Sequence, residues 1–257
     1  MDFHFMRGRL YQLDKMGLKD LIKAFFTYPT ILVYLCLAAI AIYLASHWGG
    51  SVWQIILPVI AAILLYPLAW YLIHRFILHG RYLYKSRWTS HAWKRIHFDH
   101  HQDPHNLHVL FGALYTTLPT ILLVTGPAGW LISGYTGVAM AFAAGLIITC
   151  FYELCHCIQH LNYQPKIPFL QKIKKWHLAH HFHNEQGNFG ITNYGWDRLM
   201  GTFYRRPHDV ARSHTVFNLG YTEQEAKKYP WVLQLSKGIR RDEGPGRHRH
   251  QPPGSPN

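Results

Sequence analysis

Charged side chains are scarce in this chain: Asp, Glu, Lys and Arg make up only 15% of its 257 residues, against about 25% in an ordinary soluble domain. Acidic residues are the scarcer kind, with 13 Asp and Glu against 26 Lys and Arg. Aromatic residues, in contrast, also reach 15%. This combination argues against an ordinary soluble protein and favours a protein embedded in a membrane.

The chain also has few cysteines and no early apolar segment. Its four cysteines lie in or beside apolar runs without C-x-x-C spacing, which favours reduced, buried side chains over a disulfide or redox motif. The first apolar run begins only near Pro29, behind a polar segment, so we expect no cleavable signal peptide. The net charge of +13 is concentrated beside the apolar runs, so we expect no nucleic-acid partner.

Four apolar runs without a charged residue divide the chain. Each is long enough to cross about 30 Å of hydrocarbon as a helix. They predict an all-α integral membrane protein with four transmembrane helices in two hairpins, at about residues 29–47, 52–73, 109–125 and 130–152. Residues 48–51 and 126–129 are the predicted tight turns within the hairpins.

The polar segments between these runs set the predicted organisation. Residues 1–28 form a basic, partly amphipathic interfacial segment, and residues 29–217 form the membrane domain, with His-rich polar blocks at 74–108 and 153–217. Residues 218–257 form a C-terminal segment, which we expect to be disordered after about residue 238.

Lys and Arg are distributed unequally between the two sides of the predicted hairpins. Neither tight turn contains a Lys or Arg, whereas the N-terminal segment and both His-rich blocks contain many. The positive-inside rule therefore predicts a multi-pass protein with both termini and both blocks in the cytoplasm, where the blocks form a helical cap.

Ten histidines in the two blocks fall into four motifs. In chain order they are His74 and His79; His97, His100 and His101; His156 and His160; and His177, His180 and His181. Helical residues three and four apart share a face, so each His-x-x-His-His motif is predicted to aim three imidazoles at one point. His74 and His79 are five residues apart, a spacing that does not place both rings on one face of an α-helix. Either a helix end or a local bulge brings the two rings together, or they bind two different metals.

So many imidazoles beside a membrane indicate metal. Without one, many ring nitrogens would lack partners or would repel each other when protonated. One ion takes roughly four to six donors, so ten imidazoles indicate two ions, more than a structural zinc site needs. Two adjacent irons can share the electrons needed to reduce O₂ and oxidise an unactivated C–H bond.

Glu153 is the one acidic residue near the cytoplasmic end of the fourth predicted span. It lies about one helical turn before His156, so we predict that it accepts a hydrogen bond from a ligand imidazole and acts in catalysis through that ligand. The alternative is a solvated interfacial glutamate. Trp196, Asp197 and Arg198 are predicted to hold the cytoplasmic cap together.

Residues from about His74 to Tyr204 resemble the fatty acid hydroxylase superfamily. The resemblance is carried by the histidine motifs, by Tyr152-Glu153-x-x-His156, and by Asn188-Phe-Gly-Ile-Thr192 followed by Trp196-Asp197 and Gly201-Thr-Phe-Tyr204. The last two elements look most like fatty acid 2-hydroxylases.

The resemblance implies a di-iron enzyme in which the ten histidines hold two Fe ions, for which zinc can substitute in purified protein. It implies O₂ and external electrons as co-reactants and 2-hydroxylation of a long acyl chain of a membrane lipid. Because only 28 residues precede the first predicted span, we expect a separate electron-donor protein to supply the electrons. The oligomeric state stays open.

Two alternatives stay open at this point. The same site could serve a desaturase or an oxygenase acting on a sterol, hopanoid or carotenoid. A protein of another class, a His-rich metal transporter or sensor, is disfavoured because the interiors of the predicted spans carry no acidic or histidine residues to line a path and because the motifs lie at one membrane face.

Overall fold

The structure is a computed structural model that describes residues 11–236, and this part of the chain is helical without a named β-strand. The α-helices, numbered α1 to α11 in chain order, are Leu18–Thr27, Pro29–Trp48, Val52–Leu72, Arg87–Trp93, Asp99–Gln102, Leu107–Leu110, Leu114–His160, Pro168–Phe182, Gly195–Leu199, Glu223–Lys228 and Trp231–Leu235. The remaining helical turns are two π-helical turns, Ile73–Leu78 and Lys94–Phe98, and three 3₁₀ turns, Leu13–Lys15, Leu83–Lys85 and Pro207–Asp209. The tail after residue 238, predicted to be disordered, lies outside the described residues.

Three helical stretches are long and apolar enough to cross a membrane. They are Pro29–Trp48, Val52–Leu78 and Leu107–His160. The first two leave large apolar side chains on the outside, such as Ile40 and Leu64, while the third is mostly buried between its neighbours. An integral membrane protein is the architecture that this distribution fits, because apolar side chains facing outward need lipid around them.

The third stretch is interrupted within α7. Ser133 and Gly134 leave the helical conformation, and Gly134 adopts a positive φ of 57°. The two halves of α7 then pack against each other, since a β-carbon on Gly129 would meet the backbone of Gly137 and one on Gly145 would meet Ile121. The chain therefore reverses direction at residues 133–134.

The predicted turn at residues 126–129 is wrong, because these residues are helical. A Gly-Pro pair usually marks a turn. Here Gly129 serves close packing instead, because it lies against Gly137, where a side chain would separate the two halves. The reversal comes at Gly134, the position that requires φ above zero.

α7 is the centre of the helical bundle and packs against both α2 and α3. Two buried hydrogen bonds join it to these helices. Tyr34 Oη lies 2.6 Å from Thr117 Oγ1, and Tyr66 Oη lies 3.0 Å from Thr149 Oγ1. Hydroxyl pairs of this kind satisfy polar groups in an apolar surrounding and fix how the helices pack together.

The segment before α2 is part of the folded core. α1 buries Leu21 and Phe25 against Phe111, and it leaves Ile22 and Phe26 exposed. Ahead of it, Leu13 donates its amide to the His105 carbonyl (2.7 Å) and accepts the amide of Asn162 (3.1 Å). This segment thus bridges the two His-rich blocks.

An aromatic cluster holds the cap together. Tyr84, Trp93, Phe98 and Tyr221 pack edge to face or tilted in a buried group. The Trp93 indole also donates to the carbonyl of Leu78 (2.7 Å) at the end of the first π-helical turn. These contacts fix the segment that carries His97, His100 and His101 relative to the membrane helices.

Candidate metal centre

The ten histidines singled out from the sequence come together in the structure as two groups of five. Cluster A comprises His74, His79, His97, His101 and His180. Cluster B comprises His100, His156, His160, His177 and His181. Within each cluster every imidazole offers one nitrogen, and these nitrogens lie within 4.8 Å of one another, so each cluster could hold one metal ion.

Several nitrogen pairs have the separation expected around one ion. Two imidazole nitrogens bound to the same metal at about 2.0–2.1 Å lie roughly 3 Å apart. In cluster A the Nε2 atom of His79 lies 3.2 Å from that of His74 and 2.7 Å from that of His97. In cluster B the Nε2 atoms of His160 and His177 are 2.9 Å apart.

The clusters touch each other. The ring of His101 in cluster A stacks on that of His181 in cluster B with a centroid separation of 4.2 Å. Two ions in these clusters would therefore be close neighbours, which is the arrangement of a dinuclear centre.

The π-helical turn at residues 73–78 explains the five-residue spacing of His74 and His79. A π-helix closes hydrogen bonds between residues five apart, and the amide of His79 donates to the His74 carbonyl at 3.0 Å. The two rings consequently share one face and one cluster. Of the options that the sequence left open, the local bulge is the one observed.

Each His-x-x-His-His motif divides between the clusters, and the prediction that its three imidazoles aim at one point is wrong. His97 and His101 belong to cluster A and His100 to cluster B, while His177 and His181 belong to B and His180 to A. Residues four apart lie on nearly the same face, whereas adjacent residues point about 100° apart. Each motif therefore serves both clusters.

Backbone carbonyls orient three rings of cluster A. The Nδ1 atoms of His74, His101 and His180 donate to the carbonyls of Phe189 (2.5 Å), Val216 (3.0 Å) and Gly187 (2.7 Å). A carbonyl can only accept, so Nδ1 carries the proton in each ring and Nε2 is left free for a metal.

Asp197 supports one of these carbonyls. Its buried carboxylate accepts the amides of Phe189 (2.7 Å) and Gly190 (2.8 Å) and the hydroxyl of Thr202 (2.9 Å). The loop that holds His74 is thus folded around Asp197. The predicted role of Asp197 in holding the cap agrees with these contacts.

Many buried ring nitrogens have no partner in the part of the chain that the structure describes. They include both nitrogens of His100 and His181, Nε2 of His101, His156 and His180, and Nδ1 of His160 and His177. Leaving a buried polar atom unpaired costs about 1–3 kcal/mol. A metal ion in each cluster would satisfy one nitrogen of each ring, so the donor set fits two ions.

The imidazoles are also in the charge state that metals require. Burial lowers the pKa of His97, His100 and His177 well below the usual value of about 6.5, and neighbouring imidazoles lower it further. For His180, burial lowers the pKa to about 4. These rings are neutral at physiological pH and free to donate a lone pair.

Both clusters border a small buried cavity of about 40 Å³, which we call the inner cavity. His74 and His97 of cluster A and His100 and His156 of cluster B line it. Its apolar wall consists of Trp70, Leu78, Ile96, Leu110, Tyr152 and Ile191. An apolar group in this cavity would lie beside both clusters.

Glu153 lines the inner cavity, but it does not bond a histidine. Its Oε1 accepts the Gly112 amide at 3.3 Å, and its Oε2 is buried without a partner. The predicted hydrogen bond to a ligand imidazole is therefore wrong. The Glu153 carboxylate lies beside Gly112 and shares the inner cavity with His156 without bonding to it.

A larger cavity of about 500 Å³ lies on the other side of cluster A, and we call it the outer cavity. Arg75, His79, Arg81, Glu185 and Phe189 are among its lining residues. His79 is the one member of the ten that is only half-buried. Cluster A can thus be reached from outside the protein through the His79 side.

Lys174 is an important residue that the sequence reasoning did not single out. It lies one helical turn before His177, and its buried ammonium donates to three backbone carbonyls that follow His156 and His160. A lysine flanked by Lys172 and Lys175 in a basic segment gives no signal that distinguishes it from its exposed neighbours.

Similar proteins are found by sequence and by structure. The profile described as fatty acid hydroxylase matches residues 59–202. Dihydroceramide fatty acyl 2-hydroxylase FAH2 of Arabidopsis thaliana is 31% identical over 68% of this chain and 71% of its own length. Ceramide very long chain fatty acid hydroxylase SCS7 of Saccharomyces cerevisiae is 31% identical over 52% of this chain and 34% of its own length, so the chain spans about a third of that relative. A solved structure of full-length scs7p, with only the hydroxylase domain visible, superposes with a TM-score of 0.60 at 25% identity, covering 72% of this chain and 68% of that one.

Proposed function

Because this chain belongs to the fatty acid hydroxylase family, we propose that it hydroxylates carbon 2 of a long acyl chain in a membrane lipid, using O₂ and external electrons. The observation that carries this proposal is the pair of buried five-histidine clusters facing one apolar cavity. A metal pair with a dry, apolar approach suits oxidation of a hydrocarbon group rather than hydrolysis.

We assign two Fe ions to the site, one held by the five histidines of cluster A and one by those of cluster B. When bound, an iron pair supplies the electron transfer and Lewis acidity needed to reduce O₂ and oxidise a C–H bond. The ten neutral imidazoles leave the positive charge of the ions largely uncompensated. The orphaned ring nitrogens described above are consistent with this occupancy.

The chain's own residues prepare the site in two ways. We propose that the apolar wall of the inner cavity contacts the reacting end of an acyl chain that enters from the bilayer beside the ends of α3 and α7. Tyr152 Oη and Glu153 Oε2 are buried there without partners. We propose that these two groups bind the polar end of the acyl chain and hold its second carbon towards the clusters, which gives Glu153 a direct role at the substrate.

The lipid substrate is inferred from the relatives. Their names specify fatty acyl, dihydroceramide or ceramide very long chain fatty acid hydroxylation, and the human relative, 27% identical, is a fatty acid 2-hydroxylase. A fatty acyl chain, free or within a sphingolipid, is therefore the substrate class that we propose.

We propose that the protein crosses the membrane four times, as two hairpins. The reversal at Ser133–Gly134 gives α7 two antiparallel halves, which would serve as the third and fourth spans. The positive-inside rule then puts the clusters, the cap and both termini in the cytoplasm. A separate electron-donor protein would reach the basic cap from that side.

The decisive experiment combines metal analysis with lipid analysis. The full chain, purified in detergent without oxygen and reloaded with ferrous iron, should contain two irons per chain. With O₂ and a reductant it should convert a long-chain acyl lipid into the 2-hydroxy product. The same assay on zinc-loaded protein should give no product, because zinc has no redox chemistry.

A matched pair of variants shows whether the clusters are responsible. His97→Ala removes a cluster A ring, whereas His91→Ala removes an exposed ring six residues earlier in the chain. The His97 variant should be inactive and the His91 variant active. A desaturated acyl chain or an oxidised polycyclic lipid as the product, without any 2-hydroxy acid, would overturn the proposed reaction. Iron transport without oxidation of any lipid would overturn the assignment as an enzyme.

A further inference from the structure

The C-terminal end of α7 is bound by a buried lysine. The last carbonyls of a helix have no partner within the helix. Here the Nζ atom of Lys174 donates to the carbonyls of Ile158 (3.2 Å), Leu161 (2.5 Å) and Tyr163 (3.0 Å). Lys174 itself lies on α8 and is only 9% exposed.

This ammonium has no carboxylate partner among the ion pairs of residues 11–236. Its charge is balanced by carbonyl dipoles at the negative end of the α7 helix dipole, where a cation is favourable. Hydrogen bonds from a charged donor are stronger and more directional than apolar contacts, so these three bonds fix the end of α7 relative to α8.

A second side chain reaches the same helix end from the first His-rich block. His105 Nδ1 donates to the carbonyl of His160 at 3.0 Å, and its ring stacks on Phe182 of α8. The end of α7 is therefore the point where α7, α8 and the segment after α5 are bonded together.

α7, α8 and α5, the helix just before His105, supply all five histidines of cluster B. His100 comes from α5, His156 and His160 from the last turns of α7, and His177 and His181 from α8. Lys174 lies one turn before His177, and the carbonyls that it binds lie beside His160 in the chain. Lys174 thus bonds the chain next to His160 to the helix that carries His177, and the Nε2 atoms of these two histidines are 2.9 Å apart.

Cluster A depends much less on this joint. Four of its five histidines come from residues 74–101, and the fifth, His180, is held by the Gly187 carbonyl. A change confined to the α7–α8 joint should therefore affect the two clusters unequally.

We propose that Lys174 is a positioning residue for the metal of cluster B: it locks α7 to α8 so that the imidazoles of the two helices meet at one ion. This inference rests on the proposed function only in that cluster B holds a metal. It assigns Lys174 no contact with the substrate or the reacting atoms.

The test compares Lys174→Met with Lys175→Met in the full chain purified in detergent. Methionine keeps the length and apolar character of the lysine stem but lacks the ammonium, and Lys175 is an exposed neighbour on the same helix. Metal content and the affinity for ferrous iron are measured by titration. Loss of a group that orients a metal ligand typically weakens metal binding by about 10–100-fold.

We expect two irons per chain in the wild type and in Lys175→Met. Lys174→Met should keep one tightly bound iron and bind the second about 10–100-fold more weakly. The retained iron in cluster A shows that the variant has folded. Two irons of wild-type affinity in Lys174→Met would overturn the proposal.

A second measurement keeps the inference testable if the methionine variant does not fold or if no protein binds iron. Lys174→Gln retains two N–H donors without the charge and should show an intermediate loss. In metal-free protein, hydrogen exchange of the amides at the end of α7 and the start of α8 should increase in both variants and not in Lys175→Met. Unchanged exchange would overturn the positioning role, whereas absence of iron from the wild type would refute the proposed function instead.

Discussion

The two clusters contain the same number of the same side chain, but different parts of the fold orient them. In cluster A, loop carbonyls accept hydrogen bonds from three rings, and a π-helical turn brings His79 next to His74. In cluster B, the rings project from helices that are bonded together at the end of α7. Loops position one metal site and helix packing positions the other.

The clusters differ in access as well. Cluster A reaches the outer cavity through the half-buried His79, while all five members of cluster B are buried. An ion in cluster A can therefore exchange with the surroundings more readily than one in cluster B. Four predictions follow from these differences, in order of decreasing effect.

Removing one ring from either cluster should abolish activity, because both ions are needed for the reaction. We expect His79→Ala and His177→Ala each to lower turnover by more than about 100-fold, beyond the loss typical of residues that only support a ligand. Product formation and iron content are the measurements, with His91→Ala as the exposed control. Substantial turnover in either cluster variant would contradict a shared dinuclear centre.

Acid should unfold the metal-free protein over a defined range. An imidazole in an unfolded chain titrates near about 6.5, whereas His180 in the folded protein has a pKa of about 4 because of burial. Between these values the unfolded state binds more protons, so stability is full above pH 6.5 and falls as the pH drops towards 4. Full protonation of His180 would by itself lower the free energy of unfolding by about 3 kcal/mol.

The measurement is the thermal unfolding temperature of metal-free protein in detergent at pH 7.5 and pH 5. It should fall strongly on acidification. Iron-loaded protein should change less, since bound metal excludes protons from the ring nitrogens. Equal unfolding temperatures of the metal-free protein at the two pH values would show that the imidazoles are not buried as described.

Asp197→Asn should weaken cluster A selectively. The substitution removes the charge that holds the amides of Phe189 and Gly190, and the Phe189 carbonyl then orients His74 less firmly. We expect about 10–100-fold weaker binding of one iron and an unchanged second iron. Asp209→Asn, a change at the less buried Asp209, is the matched control. Asp197→Asn should weaken iron binding in cluster A, and Lys174→Met should weaken it in cluster B. Loss of the same iron in both variants would contradict the conclusion that different parts of the fold orient the two clusters.

Chelation should remove the two irons at different rates, which is the smallest of the expected effects. A soluble chelator can approach cluster A through the outer cavity, so we expect a fast phase and a slow phase of equal amplitude. In His79→Ala, cluster A should lose its iron during purification, so we expect only the slow phase from cluster B. A single phase in the wild type would indicate that both clusters are equally accessible.

The sequence was sufficient to identify all ten histidines and the helical architecture, because their spacing and the apolar runs are local patterns. It did not predict how the motifs divide. His100 and His101 are adjacent in the chain but belong to different clusters, and which helix face meets which cluster depends on where α7 and α8 lie. Such information is contained only in long-range packing.

Two local patterns were misleading for physical reasons. Gly126-Pro127 resembles a turn, but Gly129 beside it allows the halves of α7 to approach, and the reversal lies at Gly134. Glu153 is one turn from His156, yet its partner is the amide of Gly112, forty-one residues away in the chain. A glycine can serve either helix packing or a turn, and a glutamate can either bond a metal ligand or line a cavity. The local sequence does not distinguish these uses.

The π-helical turn between His74 and His79 has a genetic implication. A π turn is an α-helical turn that contains one additional residue. Inserting a single codon into an ordinary helix is thus enough to create it, and deleting one residue would leave the two histidines four apart, a spacing at which an α-helical turn also puts both rings on one face. The turn can in this way gain or lose a residue in one mutational event while both rings stay directed at cluster A.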